Sequence, residues 1–216
     1  MGAKLASADH DEAHETSKKH PAEGSIFVPR EAEDAATDIA GAAGKFKFQM
    51  LADREARWNE SRFWKEFRIG HSWIRLIDPA GAVDSWGYWP DLWGGHAVDP
   101  KHPWKSVPGK VLHPDTEHAP NAIKTYEIDA KQAGKLTKAA NDKEASPGSY
   151  NLFTYNCTTF VQDMARHAGV PVPSASTLGV ANPNDLFQAI EKLNRNDGLD
   201  AMGNALPSGD QAPPGN

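Results

Sequence analysis

Four short stretches between Phe46 and Ile128 carry strand patterns, whereas beyond Ile128 apolar residues recur at three- and four-residue spacing. That order of periods narrows the fold more than any other feature, because period two marks strands and period 3.6 marks helices. Phe46-Lys47-Phe48-Gln49-Met50 reads as a strand, as do His71 to Ile77, Ala82 to Tyr88 and Ala122 to Ile128. Asp78-Pro79-Ala80-Gly81 places turn-forming residues between the second and third of these, which predicts a hairpin. One amphipathic helix is expected among the strands, over residues 53–67 with Trp58, Phe63, Trp64 and Phe67. Three more follow: from an Asp129 cap to about Glu144, from Asn156 to a stop at Gly169 and Pro171, and from Asn182 through Leu186, Phe187, Ile190 and Leu193. The pattern predicts an α+β fold with helices packed against an antiparallel sheet.

The folded part is expected over residues 46–193. Residues 1–45 read as a flexible N-terminal segment, with His10, His14 and His20 among charged residues and the small-residue run Gly41-Ala42-Ala43-Gly44. Residues 194–216, rich in Gly, Pro, Asn and Asp, read as a disordered tail. Lys plus Arg number 23 against 29 Asp plus Glu, a net charge of -6 with no basic stripe, which argues against nucleic acid as a partner. No apolar run reaches the roughly 18 residues of a membrane span. The opening Met1-Gly2-Ala3-Lys4-Leu5 lacks the apolar core of a secretory signal, and Ala6 stands where a myristoylation pattern wants Ser or Thr. A cytoplasmic location in the producing cell is therefore expected, with any export independent of a signal peptide.

Cys157 is the only cysteine, so no internal disulfide framework exists. It follows Asn156, a good N-cap, and Phe160, Val161, Met164, Ala165 and Ala168 continue as one apolar helix face. A thiol in the first helical turn meets unpaired amide N–H groups and the positive end of the helix dipole. Both favour the thiolate, and such placement lowers a cysteine pKa from about 8.5 into the range of roughly 3.5–7.5. The ordinary alternative is a small buried hydrophobe.

A nucleophilic thiol needs a base, and the base needs an orienting group. Of nine histidines, three lie in the N-terminal segment, and His102, His113 and His118 sit beside prolines in a loop-like stretch. His167 follows Cys157 by ten residues on the same helix, about 15 Å along the axis and out of reach. His96 follows Gly94-Gly95. His71, at the start of a strand after Gly70, is the best-placed base. The neighbouring strand offers Asp84 and Ser85, only one of which can share a face with His71. A carboxylate would both orient the ring and favour imidazolium, so chemistry prefers Asp84. All seven tryptophans fall between Trp58 and Trp104. Core packing accounts for many of them, while Trp86 and Trp89, on a Gly/Pro-rich stretch, are candidates to wall a cleft. One cysteine and scattered histidines do not form zinc-ligand spacing, so neither a metal nor another cofactor is expected.

The blocks Gly70-His71-Ser72-Trp73-Ile74, Asp84-Ser85-Trp86-Gly87-Tyr88-Trp89-Pro90, Pro108-Gly109-Lys110-Val111 with Pro114-Asp115, and Tyr155-Asn156-Cys157-Thr158-Thr159-Phe160 together resemble circularly permuted, NlpC-type papain-like enzymes. These include cell-wall peptidases and the lecithin:retinol acyltransferase-like group. Many bacterial members are effectors of contractile injection systems, type VI secretion toxins among them. The resemblance spans about residues 46–175. It implies Cys157 as nucleophile, His71 as base, and Asp84 or Ser85 as the third member. It implies an oxyanion site at the helix start, around Cys157, Asn156 and Thr158. The implied reaction is hydrolysis of amide bonds in peptidoglycan stem peptides. The implied partners are a carrier on the secretion apparatus and a cognate immunity protein, with injection into a target cell's periplasm. Lipid acyl hydrolysis or transfer, and a non-enzymatic papain-like module, are the alternative readings.

Overall fold

In a computed structural model of the chain, residues 44–54, 70–116, 118–177 and 179–206 are described. The elements are β1 (Phe46–Asp53), β2 (His71–Ile77), β3 (Val83–Pro90), β4 (Val107–Leu112), β5 (Ala122–Ile128), α1 (Ala130–Ala145), β6 (Ser149–Tyr150), α2 (Cys157–Ala168), β7 (Ser176–Thr177), β8 (Val180–Ala181) and α3 (Pro183–Asn196). The fold is α+β. Six strands form one antiparallel sheet in the order β5-β1-β2-β3-β4-β6, and β7 and β8 form a separate two-stranded ribbon.

The expected hairpin is present. Asp78 closes its turn, accepting from the Ala82 amide through its side chain at 2.8 Å, and Gly81 adopts a positive φ of 93°. The register pairs Trp73 with Gly87, Arg75 with Ser85 and Leu76 with Asp84. Alternation then sorts the faces. Phe46, Phe48, Met50 and Ala52 of β1 are buried on the same side as Ile74 and Leu76, their partners or near neighbours across β2. The helices cover that side: α2 packs on β2 and β3, α3 on β1 and β5, and α1 on α2. One core joins Phe48, Ile74, Trp86, Tyr88, Leu136, Phe160, Met164, Leu186 and Ile190.

One expectation differs from the structure. The tail expected from residue 194 starts later, since α3 runs to Asn196 and residues 199–205 fold back as a bridged turn. Asn194 sends its amide nitrogen to the carbonyls of Ile123, Asp200 and Ala201, and Ile123 donates to Ala201, which ties this turn to β5. The helix expected over 53–67 lies almost wholly outside the described residues, as do residues 1–43 and 207–216. Asp53, its expected first residue, is the last of β1.

Candidate active site

The start of α2 is fixed by its cap. Asn156 is extended, and its side-chain oxygen accepts from the amides of Thr158 at 2.9 Å and Thr159 at 3.1 Å. Its side-chain nitrogen donates to the carbonyls of Leu152 at 2.8 Å and Ala181 at 2.7 Å. The Thr159 hydroxyl completes a capping box with the Asn156 amide at 2.6 Å. Cys157, the first residue of α2, is therefore held at one place. Thr158, wholly buried, shares a 2.9 Å hydrogen bond between its hydroxyl and that of Ser72 on β2, which pins the helix start to the strand beginning at His71.

His71 and Cys157 lie close enough for each to shift the other's titration, so two residues far apart in the sequence come together. The His71 Nε2 lies 2.8 Å from Oδ2 of Asp115. With that nitrogen taken, Nδ1 is the one left to address the sulfur. The ring is stacked on Trp89, with centroids 3.9 Å apart, and Trp89 Nε1 donates to the same Asp115 oxygen at 3.0 Å. Asp115 is thus positioned by two donors on its carboxylate. Its backbone is positioned by Ser85, whose hydroxyl accepts from the Asp115 amide at 3.0 Å and donates to the Asp115 carbonyl at 3.1 Å.

The orienting group is therefore Asp115, neither Asp84 nor Ser85. The hairpin register explains the correction. Asp84 stands opposite Leu76, on the other face from His71 and near the turn. Its side chain is 63% exposed and lies 3.6 Å from Nε2 of His113. Ser85 shares the face of His71 but is spent on the Asp115 backbone. Asn156 and Thr158 are likewise corrected as oxyanion donors: the side chain of Asn156 and both the amide and hydroxyl of Thr158 are consumed in holding the helix start. Trp86 is fully buried beneath the His113 ring, in the core rather than in a cleft wall. Trp89 does belong to the site.

Two residues were missed. Asp115 sits in a segment without periodicity, and the available signal was Gly87: glycine inside a strand marks a close approach. A Cβ at Gly87 would fall 1.5 Å from Oδ2 of Asp115. The second is Tyr150. Its hydroxyl lies 3.9 Å from the Cys157 sulfur, and the Cys157 backbone amide addresses the same hydroxyl. Burial raises the phenol pKa well above its ordinary value, so it remains a neutral O–H donor.

Electrostatics favour an ion pair. Burial alone pushes the Cys157 thiol up, but the His71 ring and then the Ser72 hydroxyl and amide outweigh it and bring the pKa down to about 7. Burial also opposes the His71 imidazolium, and Asp115 together with the Cys157 sulfur outweighs that, raising the histidine above its ordinary value. A lowered thiol beside a raised imidazole gives a thiolate–imidazolium pair near neutrality. Both groups are shielded, Cys157 being 2% and His71 3% exposed. His118 adjoins them, its ring 5.4 Å from that of His71 and its Nδ1 2.6 Å from Asp53. Among the described residues no group of three or more His, Cys, Asp or Glu side chains is placed to hold a metal ion, and no helix is long and apolar enough to cross a membrane.

Comparison of the chain with family models, curated proteins and solved structures gives no match.

Proposed function

We propose that the chain is a cysteine hydrolase with a circularly permuted, NlpC-type papain-like catalytic domain, and that it cuts amide bonds in peptidoglycan stem peptides. The observation that carries this reading is His71 set between Cys157 and Asp115, with a neutral Tyr150 hydroxyl beside the sulfur. A thiolate beside an imidazolium that is itself held by a carboxylate is the arrangement acyl transfer needs. The Cys157 thiolate attacks the amide carbonyl, and a carbon–sulfur bond forms as the carbonyl electrons move to oxygen. The Tyr150 hydroxyl, beside the sulfur, is the donor we assign to that oxyanion. Collapse breaks the carbon–nitrogen bond while His71 gives its proton to the leaving amine, leaving a thioester. His71, now neutral, takes a proton from water, whose oxygen attacks the thioester and returns the thiolate. The sequence resemblance supports peptidoglycan as the substrate. It also supports a role as an antibacterial effector carried by a contractile injection apparatus and countered by an immunity protein.

The test is mass spectrometry of peptidoglycan digests. Wild-type protein is expected to release cleaved stem peptides, and Cys157→Ala and His71→Ala are each expected to release none. Unchanged muropeptides beside a cleaved phospholipid would replace this reading with acyl-lipid chemistry. The 2% exposure of Cys157 favours a second reading, a non-enzymatic module with a packed thiol. Iodoacetamide separates the two: fast alkylation at mildly acid pH marks an activated, reachable thiolate, whereas inertness marks a packed one.

A further inference from the structure

His113 has no part in the chemistry just described, yet it is held more elaborately than a loop histidine needs. Its ring is stacked on the buried Trp86, with centroids 4.6 Å apart. Its Nδ1 lies 3.2 Å from Oε2 of Glu144 near the end of α1, and its Nε2 lies 3.6 Å from Oδ1 of Asp84 on β3. Both neighbours are carboxylates, which only accept. A neutral imidazole can donate to Glu144 alone, whereas an imidazolium keeps that bond and also attracts Asp84, which at 3.6 Å is an ion-pair contact rather than a hydrogen bond. The bridge between β3 and α1 is therefore complete only when the ring is charged. Two residues further on stands Asp115, whose backbone is gripped by Ser85, the residue after Asp84. Adjacent residues of β3 thus hold the two ends of the three-residue segment that presents the carboxylate to His71.

We propose that His113 is a positioning residue for the Cys157–His71–Asp115 array, and that as an imidazolium clamped between Asp84 and Glu144 it fixes the segment carrying Asp115. This inference rests on the reading of those three residues as catalytic. The Asp84 carboxylate most strongly favours the charged ring; burial works against it and Glu144 adds to it, so His113 is raised above its ordinary value. The groups facing it are Asp84 from β3 and Glu144 from α1, with the uncharged Trp86 beneath. When pH rises past its titration one end of the clamp opens and the segment is held at its Asp115 end alone, by Ser85, so the carboxylate and the His71 ring it orients are set less firmly toward the thiol. Turnover then falls while substrate binding is little changed.

The test combines kinetics on muropeptides with NMR titration of the imidazole rings. In His113→Gln, which keeps one donor but no charge, kcat is expected to fall about 10-fold, the scale of a small misplacement at a catalytic group, with KM unchanged. The pH profile should lose the component at the midpoint of His113. In the wild type, the His71 ring signals should show a second step at that same midpoint, and this step should vanish in the variant. If the step is present but muropeptides stay intact, the hydrolase reading falls and the positioning role stands. If the step is absent, or His113→Gln keeps the wild-type profile, the positioning role is overturned, while muropeptide cleavage keeps the hydrolase reading. Should His113→Gln fail to fold, Glu144→Gln at the surface serves instead. The His113 midpoint and the His71 step should then move down together, and an unmoved step overturns the proposal.

Discussion

Asp115 occupies room that exists because residue 87 has no side chain. In Gly87→Ala the new methyl would fall 1.5 Å from Oδ2 of Asp115 and 2.9 Å from Nε2 of His71. The backbone there is ordinary strand, so the clash falls on the site rather than on the fold. This variant is expected to lose about 100-fold in kcat while its circular dichroism stays that of the wild type; a fully active Gly87→Ala would remove Asp115 from the mechanism. Asp115→Asn is expected to cost roughly 10²- to 10⁴-fold, because an amide neither favours the imidazolium nor fixes its tautomer. Iodoacetamide rates should rise with pH around a midpoint near 7, the value to which the Cys157 thiol is lowered. In His71→Ala that midpoint should move up, since burial continues to oppose the thiolate and the ring no longer offsets it. Cys157, Asn156 and His71 were legible in the sequence because each sits at an element boundary with a chemical reason to be there. Asp115 was not, because the β4–β5 connection has no period to read. Asp84 misled because hairpin register, which decides the face, depends on a turn length that residue types leave open.

The start of α2 depends on a single side chain, since Asn156 makes four hydrogen bonds and reaches three separate segments. Asn156→Ala removes a cap worth about 1 kcal/mol and leaves buried amide and carbonyl groups unmatched at about 1–3 kcal/mol. Its melting temperature is expected to drop clearly, and activity with it. Asn156→Asp restores the two acceptor contacts but not the two donations, and should fall between. The raised His113 adds a pH term to stability. Because the folded value lies above the unfolded one, the contribution is complete below the ordinary value of 6.5 and is lost as pH rises through the folded value. Melting curves of wild type and His113→Gln should therefore converge on the alkaline side; parallel curves would show that the bridge adds nothing. The longer elements were legible, with α1 and α2 starting where their Asp129 and Asn156 caps predicted. The shorter ones were not. β4 contains Pro108 and Gly109, which read as loop, and β6, β7 and β8 are two residues each, too short for a period to register.

At the scale of the molecule, the sheet places β1 between β2 and β5, so its first strand completes its pairing with one more than 70 residues later. The site draws on residues 71, 115, 150 and 157, none of which is near all the others in sequence, so activity and tertiary structure should be lost in one transition on urea titration. The segment after α3 belongs to this unit. Asp197 pairs with Lys124, whose side chain is 6% exposed. Asp197→Ala strands a mostly buried ammonium and is expected to cost about 1–3 kcal/mol; a wild-type melting temperature would show that the ammonium finds solvent instead. Composition hid this order, since Gly, Asp and Asn suit tight turns as well as disorder. The same docked turn has a bearing on self-association. Its Ala201 carbonyl and the Asn194 amide occupy the outward N–H and C=O of Ile123 on one rim of the sheet. At the opposite rim a two-residue strand meets Pro108, which has no amide to offer. Among the described residues the open backbone is thus interrupted at Ile123 on one border and at Pro108 on the other, so concentrated protein should resist the edge-to-edge stacking that seeds amyloid.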